Sequence, residues 1–241
     1  MVMSLPIVIL ATGYGAAASA FLPRVAYRLS VPFGTAPRPV CARCERSFPA
    51  GHRGWVRAGS PCPCAGSPAD LAVVGAGASA SAVLALALGT VPILPALLAA
   101  VPIGVLLAAV DLRCLRLPDP LVGALAAVVV PPLVPLALGG GEPGRLGRAA
   151  AAAGLAGVAY LMVALLPGQG LGFGDVKLAA VLAFPLGYLG WPAVAVGMVA
   201  PHLVNGPAAL FLLVSGRARR GTALPLGPAL LAGAVVGALA A

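Results

Sequence analysis

Charged residues are scarce in this chain: they make up 9% of 241 residues, against 61% hydrophobic, and mean hydropathy is +1.04. A water-soluble globule needs more solvated surface than this, so a soluble domain is excluded. Acids are scarcer still, six against 15 Lys and Arg, which leaves a net charge of +9. In so apolar a chain the basic residues belong to loops that set orientation across a bilayer, and no nucleic-acid partner is expected. No Gly-x-Gly-x-x-Gly follows a strand-like run, so a recognisable nucleotide-binding signature is lacking. The N-terminus has neither a basic n-region nor a small-residue cleavage site, so residues 4–22 read as a retained first span rather than a leader.

What is present is a series of Ala/Leu/Val runs punctuated by Gly (32) and Pro (25). At roughly 20 apolar residues per span, helices are expected near 4–22, 71–89, 91–110, 120–138, 149–167, 177–190, 192–214 and 223–241. The fold class is therefore an all-α polytopic membrane bundle of about eight transmembrane helices with a small Cys-rich cytoplasmic loop. The breaks at Gly89-Thr90 and Gly190-Trp191-Pro192 are tight and predict antiparallel hairpins with almost no loop. With the N-terminus outside, loops 23–70, 111–119, 168–177 and 215–222 face one side and hold 13 of the 15 basic residues. That asymmetry assigns them to the cytoplasm. Residues 1–70 then form the first transmembrane helix plus the Cys-rich loop, and 71–241 the rest of the membrane domain.

Three of the six acids, Asp111, Asp119 and Asp175, fall at span ends on the cytoplasmic side, where an ionisable group beside hydrocarbon is a functional candidate. Asp70 precedes the second span, where an N-cap acid is ordinary, and Glu45 and Glu142 lie in loops. Asp119 stands before Pro120 and reads well as a helix cap. Asp111 ends a run of apolar residues, where the helix macrodipole disfavours negative charge, and has no capping task. Asp175 follows the Gly-rich stretch 168–174 and opens the next span, so capping is its plain structural explanation. Together Asp111 and Asp175 form a candidate pair of carboxylates sharing a proton: one takes a proton from attacking water, the other donates to a carbonyl oxygen. Helix-end electrostatics expects Asp175 to stay ionised and Asp111 to hold the proton. Lys177 is expected to act on Asp175 or, like Arg113 and Arg116, to pair with acids or phospholipid head groups.

The segments Asp111-Leu-Arg-Cys-Leu-Arg-Leu-Pro118-Asp119 and Gly172-Phe-Gly174-Asp175-Val-Lys177 resemble the two signature segments of type IV prepilin leader peptidases, integral-membrane aspartic peptidases of the Gly-x-Gly-Asp type. The catalytic aspartates of that family correspond to Asp111 and Asp175. Gly172, Gly174, Lys177, Pro118 and Asp119 correspond to positions that shape the site. Pro225-Leu-Gly-Pro228 is similar to the family's Pro-Phe-Gly-Pro segment with Leu226 in place of Phe. Residues 19–28 are similar to its first-span exit, with Pro23-Arg24 where an Asn is common. The resemblance implies cleavage of the short basic leader of a prepilin or pseudopilin at the cytoplasmic face of the inner membrane. For many members it also implies methylation of the new N-terminus with S-adenosylmethionine.

Five cysteines stand at 41, 44, 62, 64 and 114. Cys41-Ala-Arg-Cys44 and Cys62-Pro-Cys64 place four thiols in one polar loop, and four thiolates satisfy tetrahedral zinc with no open position, the arrangement of a structural site. His52 is an alternative ligand, though a solvated loop residue is the plainer reading. His202 reads as a packed or pore-facing residue. Two other classes compete with a peptidase: a transporter using Asp111 and Asp175 as a proton relay, and an assembly factor in which both acids are structural.

Overall fold

The computed structural model describes residues 4–64, 66–166, 171–215 and 225–241. Among these, regular structure is helical, with no strand and one isolated antiparallel bridge between Val40 and Ser47. The helices are α1 (Ser4–Ser19), α2 (Leu22–Leu29), α3 (Pro68–Leu88), α4 (Leu94–Cys114), α5 (Asp119–Gly139), α6 (Gly144–Ala164), α7 (Phe173–Leu189), α8 (Trp191–Val214) and α9 (Gly227–Gly237). Residues 168–170 of the Gly-rich stretch and most of the basic loop 215–222 lie outside the described residues.

Four of these helices, α3 to α6, are long and apolar enough to cross a membrane, and α1 with α2 supplies a fifth if that pair, bent by 44°, is one span. The all-helical membrane character thus follows from the composition as expected. The division into spans is coarser. The first run does not continue straight to residue 22: it breaks at Ala20-Phe21, and α2 starts afresh with Pro23 in its first turn, where a missing N–H is harmless. α7, at 17 residues, is longer than the short run 177–190 expected there because it starts at Phe173, whereas α9, at 11 residues, is shorter than the span expected at 223–241.

The hairpins are as tight as their glycines require. Gly89 ends α3 at φ 55°, a left-handed conformation that a Cβ would disfavour, and α8 begins one residue after Gly190. At the start of α3, Asp70 has the capping task expected of it: its Oδ2 accepts the Ser67 N–H at 2.9 Å and the Ser67 hydroxyl at 3.2 Å.

Small residues set the closest approaches. On α1 and α3, Gly15 and Ser19 face Gly77 and Ser81, four apart on each helix. In the hydrocarbon layer, helix association rests on such close backbone packing because lipid tails are as apolar as Leu. A methyl on Gly15 would strike the Gly77 carbonyl and the Ser81 hydroxyl, and one on Gly77 would lie 2.6 Å from the Gly15 carbonyl oxygen. Gly77→Ala is therefore expected to destabilise the chain by about 1–3 kcal/mol through overpacking. Gly75→Ala, where nothing lies within 4 Å, serves as the neutral control in thermal unfolding in detergent. The same device joins α8 to α9, where a methyl on Gly237 would sit 2.6 Å from the Ala193 carbonyl oxygen.

The bundle has two distinct ends. At one, α2 and the cysteine loop, the end of α4 and the starts of α5, α7 and α9 come together through Arg116 to the Val31 and Pro32 carbonyls, Gly174 against Leu117, and Gly227 against Asp111. At the other, Arg148 ties α6 to the end of α7 through the Gly187 and Tyr188 carbonyls, at 2.7 and 3.0 Å.

Candidate functional site

α4 carries Asp111 one turn before its end, and α7 carries Asp175 in its first turn. The helices meet across Leu117, in the short connection from α4 to α5. A Cβ on Gly174 would lie 3.0 Å from Leu117 Cβ, and one on Gly227 3.1 Å from Leu117 Cδ2. Leu117 is thus wedged between the α7 and α9 starts, and the two carboxylates lie within coulombic reach of each other. The α4 end itself is capped by Leu115 in a left-handed conformation at φ 51°, with its N–H on the Asp111 carbonyl at 2.8 Å. For a γ-branched side chain this conformation is uncommon.

Asp111 is 4% exposed, and its Oδ2 accepts the backbone N–H of Gly227 at 3.0 Å. Gly227 opens α9, so a helix N-terminus faces the carboxylate that the end of α4 alone would disfavour. Asp175 divides its two oxygens. Oδ2 accepts the Gly172 N–H at 3.3 Å, which is the capping task expected of it, while Oδ1 is buried and has no hydrogen-bond partner among the described residues. A buried acceptor without a partner is uncommon in native proteins and calls for an explanation. Both carboxylates therefore face helix N-termini, and the helix-end argument that gave the proton to Asp111 loses its asymmetry.

The remaining candidates fall nearby in different roles. Asp119 and Lys177 are exposed and joined by an ion pair at 2.8 Å that links the starts of α5 and α7, so Lys177 is engaged with Asp119. Exposed pairs of this kind are worth about 0–1 kcal/mol. Pro118 is the N-cap of α5, in extended conformation. The two glycines differ. At Gly174 an added Cβ meets Leu117 at 3.0 Å, whereas at Gly172 its nearest neighbour is Asp175 Oδ2 at an ordinary 3.5 Å. Gly174→Ala is expected to cost about 1–3 kcal/mol by displacing the α7 start. Gly172→Ala should stay within about 0.5 kcal/mol; thermal unfolding of the two variants in detergent separates them.

Three features of this region were not visible in the sequence. Gly227 was noticed only as part of Pro225-Leu-Gly-Pro228, and that the Gly itself meets Asp111 depends on a contact 116 residues away in the chain. Leu117 is legible in the sequence only as the aliphatic residue before Pro118-Asp119, and its place between the starts of α7 and α9 is not. Tyr160 on α6 and His202 on α8 form a hydrogen bond of 2.8 Å, and Asp175 lies within electrostatic range of Tyr160; two polar side chains inside apolar runs were the available signal.

The cysteines converge. Sγ–Sγ distances are 3.6 Å for Cys41–Cys64, 3.6 Å for Cys44–Cys62 and 3.4 Å for Cys62–Cys64, and all four ligand atoms lie within 4.8 Å of one another. Disulfides would require about 2.05 Å, whereas tetrahedral zinc with Zn–S near 2.3 Å separates its sulfurs by roughly 3.8 Å. The cluster fits a metal ion. Backbone N–H groups of Arg43 and Cys44 hold the Cys41 thiol down at about 6, while hydrogen bonding to Cys44 and Cys62 pushes Cys64 up to about 12. His52 lies in a short 3₁₀ turn outside the cluster, and the four-sulfur set is complete without it.

Arginines secure this loop to α2. Arg24 donates to the Pro61 and Arg53 carbonyls, both at 2.8 Å, and Arg28 to those of Arg38 and Gly54, at 3.0 and 2.9 Å. The Arg28 guanidinium also lies 3.8 Å from the centre of the Trp55 ring. Basic residues counted as topology signals thus also have a structural task. Nothing in the geometry of the described residues selects S-adenosylmethionine. An apolar cavity of about 740 Å³ lies along α3, α4, α7 and α9, and neither carboxylate lines it. Compared with known protein families, curated proteins and solved structures, the chain matches none.

Proposed function

We propose that the chain is a membrane aspartic endopeptidase of the prepilin-peptidase kind, with Asp111 and Asp175 as its two catalytic carboxylates. The observation that supports this reading is their delivery by α4 and α7 to one end of the bundle, within coulombic reach, one carboxylate oxygen of Asp175 being buried and unpartnered. One carboxylate takes a proton from water as it attacks the scissile carbonyl while the other, protonated, gives its proton to the carbonyl oxygen; the first then passes the water proton to the leaving amine, and collapse of the tetrahedral diol returns the second carboxyl's proton. No nucleophilic side chain or metal takes part in that step. Asp119 and Lys177 tie α5 to α7, and Gly227 fixes Asp111.

The same reading has eight spans in the cytoplasmic membrane of the cell, the carboxylates and the cysteine loop facing the cytoplasm, as the distribution of basic residues favours. The substrate is a prepilin or pseudopilin whose basic leader meets the carboxylates while its apolar stem stays in lipid. Zinc is the metal proposed for the four cysteines, in a structural role. Methylation of the new N-terminus with S-adenosylmethionine belongs to the reading only through the resemblance.

The test mixes membranes carrying wild-type or Asp175→Asn protein with candidate pilin precursors and weighs the products. Leader loss with the wild type alone is expected, and a methyl increment would add the second activity. An intact precursor in every wild-type mixture overturns the reading. A proton-relay transporter is favoured by one observation, the Tyr160–His202 hydrogen bond between α6 and α8 with Asp175 within electrostatic range of Tyr160. It predicts solute movement in vesicles and no cleavage.

A further inference from the structure

Beside the apolar cavity between α3, α4, α7 and α9 lies a second, smaller one with several polar side chains in its wall. The apolar space, about 740 Å³, is walled by Ala, Val and Leu side chains and ends at Ala69, Leu112 and Arg113. The polar space, about 220 Å³, lies beneath the cysteine cluster between Tyr27, Arg43, Ser67, Asp70 and Arg113. Arg113 lines both. It stands in the last turn of α4 and Asp70 in the first turn of α3, so the junction lies where helices leave the apolar layer.

We propose that the two spaces form one site for an anionic phospholipid, its phosphate between Arg43 and Arg113 and its acyl chain in the apolar groove. Two arginines face one aspartate there, leaving one positive charge for a singly charged phosphodiester. Arg113 keeps donors for it: its contact with Asp70 is 3.9 Å, well beyond the 2.7–2.9 Å of a charge-assisted hydrogen bond. Asp70 has already spent Oδ2 on the cap of α3. The Tyr27 hydroxyl accepts the Ala42 N–H at 2.8 Å and retains its own proton to donate. Arg43 lies between the first two cysteines, so the cluster that gathers them sets its place. A transmembrane peptide with a basic leader fits less well, since Arg43 and Arg113 repel that leader where they would hold a phosphate.

The experiment reconstitutes the full chain in nanodiscs of four parts phosphatidylcholine to one part phosphatidylglycerol and counts retained lipids by native mass spectrometry. Wild-type protein is expected to retain phosphatidylglycerol above its share, and soluble glycerol phosphate should not displace it. Arg43→Gln, an exposed position whose loss leaves the fold intact, should lower the preference about five-fold, as should Arg113→Gln. Ala76→Trp, filling the groove from an exposed position on α3, should abolish retention of either lipid. Retention in proportion to nanodisc composition, or arginine variants that keep the wild-type preference, overturns the proposal. So does an Ala76→Trp variant that keeps its lipid but no longer crosslinks to an apolar substrate helix, which would give the groove to the peptide. Retention is read without any cleavage, so failure of the peptidase reading leaves this result standing.

Discussion

Asp111→Asn and Asp175→Asn are each expected to lower leader cleavage by about 10³-fold or more, with helix content and substrate capture unchanged. General acid–base groups contribute typically 10²–10⁴ each, and here each carboxylate depends on the other, so removing either disables the pair. The measurement is the initial rate of precursor cleavage in membranes, beside circular dichroism and co-purification of the precursor. Combining both substitutions should cost little more than one, because groups acting as a unit are not additive. Gly227→Ala reports on the same centre from outside it. An added Cβ would lie 2.8 Å from Asp111 Oδ2, so the carboxylate must shift and cleavage should fall by tens of fold. A proton relay would instead tolerate Asp→Glu with an altered pH response of transport. An assembly factor would tolerate both Asn variants.

The second large effect concerns the cysteines. Removing the metal with a strong chelator, or replacing Cys41 or Cys62 by Ser, is expected to open the loop between α2 and α3. Structural metal sites contribute their binding free energy to folding, about 10–16 kcal/mol for small zinc domains. Both thiols are buried at 1% and 3% exposure, so each serine leaves a hydroxyl where a metal-bound sulfur belonged. Metal analysis should fall from one ion per chain to none, and limited proteolysis should cut within 36–66 at least about tenfold faster. The bundle should keep its helix content, because α3 to α9 bury their contacts elsewhere. An unchanged cleavage pattern in metal-free protein would show that the loop is held by its arginines alone.

How far the sequence could be read depended on the range of the interactions. Local signals carried well. Asp70, read as a capping acid, does cap its helix, though from three residues after the Ser67 N-cap; Gly89 ends its helix, and the four cysteines sit close enough in the chain to meet with little help from the fold. The carboxylate pair needed two helices 64 residues apart to converge, and only the matched patterns around Asp111 and Asp175 pointed to it. Contacts without a pattern were not legible. The Gly227 N–H is a backbone group, invisible in composition, and it opposes the electrostatics inferred for Asp111 from α4 alone. Hydropathy also misjudged the first span: Ala20-Phe21 is as apolar as its neighbours, and the bend there arises because α2 turns to bring Arg24 and Arg28 over the cysteine loop. The close pairs of small residues on α1 and α3 were legible in principle, since Gly15 and Ser19, like Gly77 and Ser81, are spaced by four.

Arg24 and Arg28 grip main-chain oxygens rather than carboxylates, and that choice of partner bears on ionic conditions. Salt weakens attraction between opposite charges over distances beyond about 10 Å at 0.1 M, but a hydrogen bond from a guanidinium to a peptide carbonyl does not depend on a counter-charge. A concentrated salt wash that strips loosely bound peripheral proteins should thus leave the cysteine loop seated, its positive field undiminished once the wash is removed.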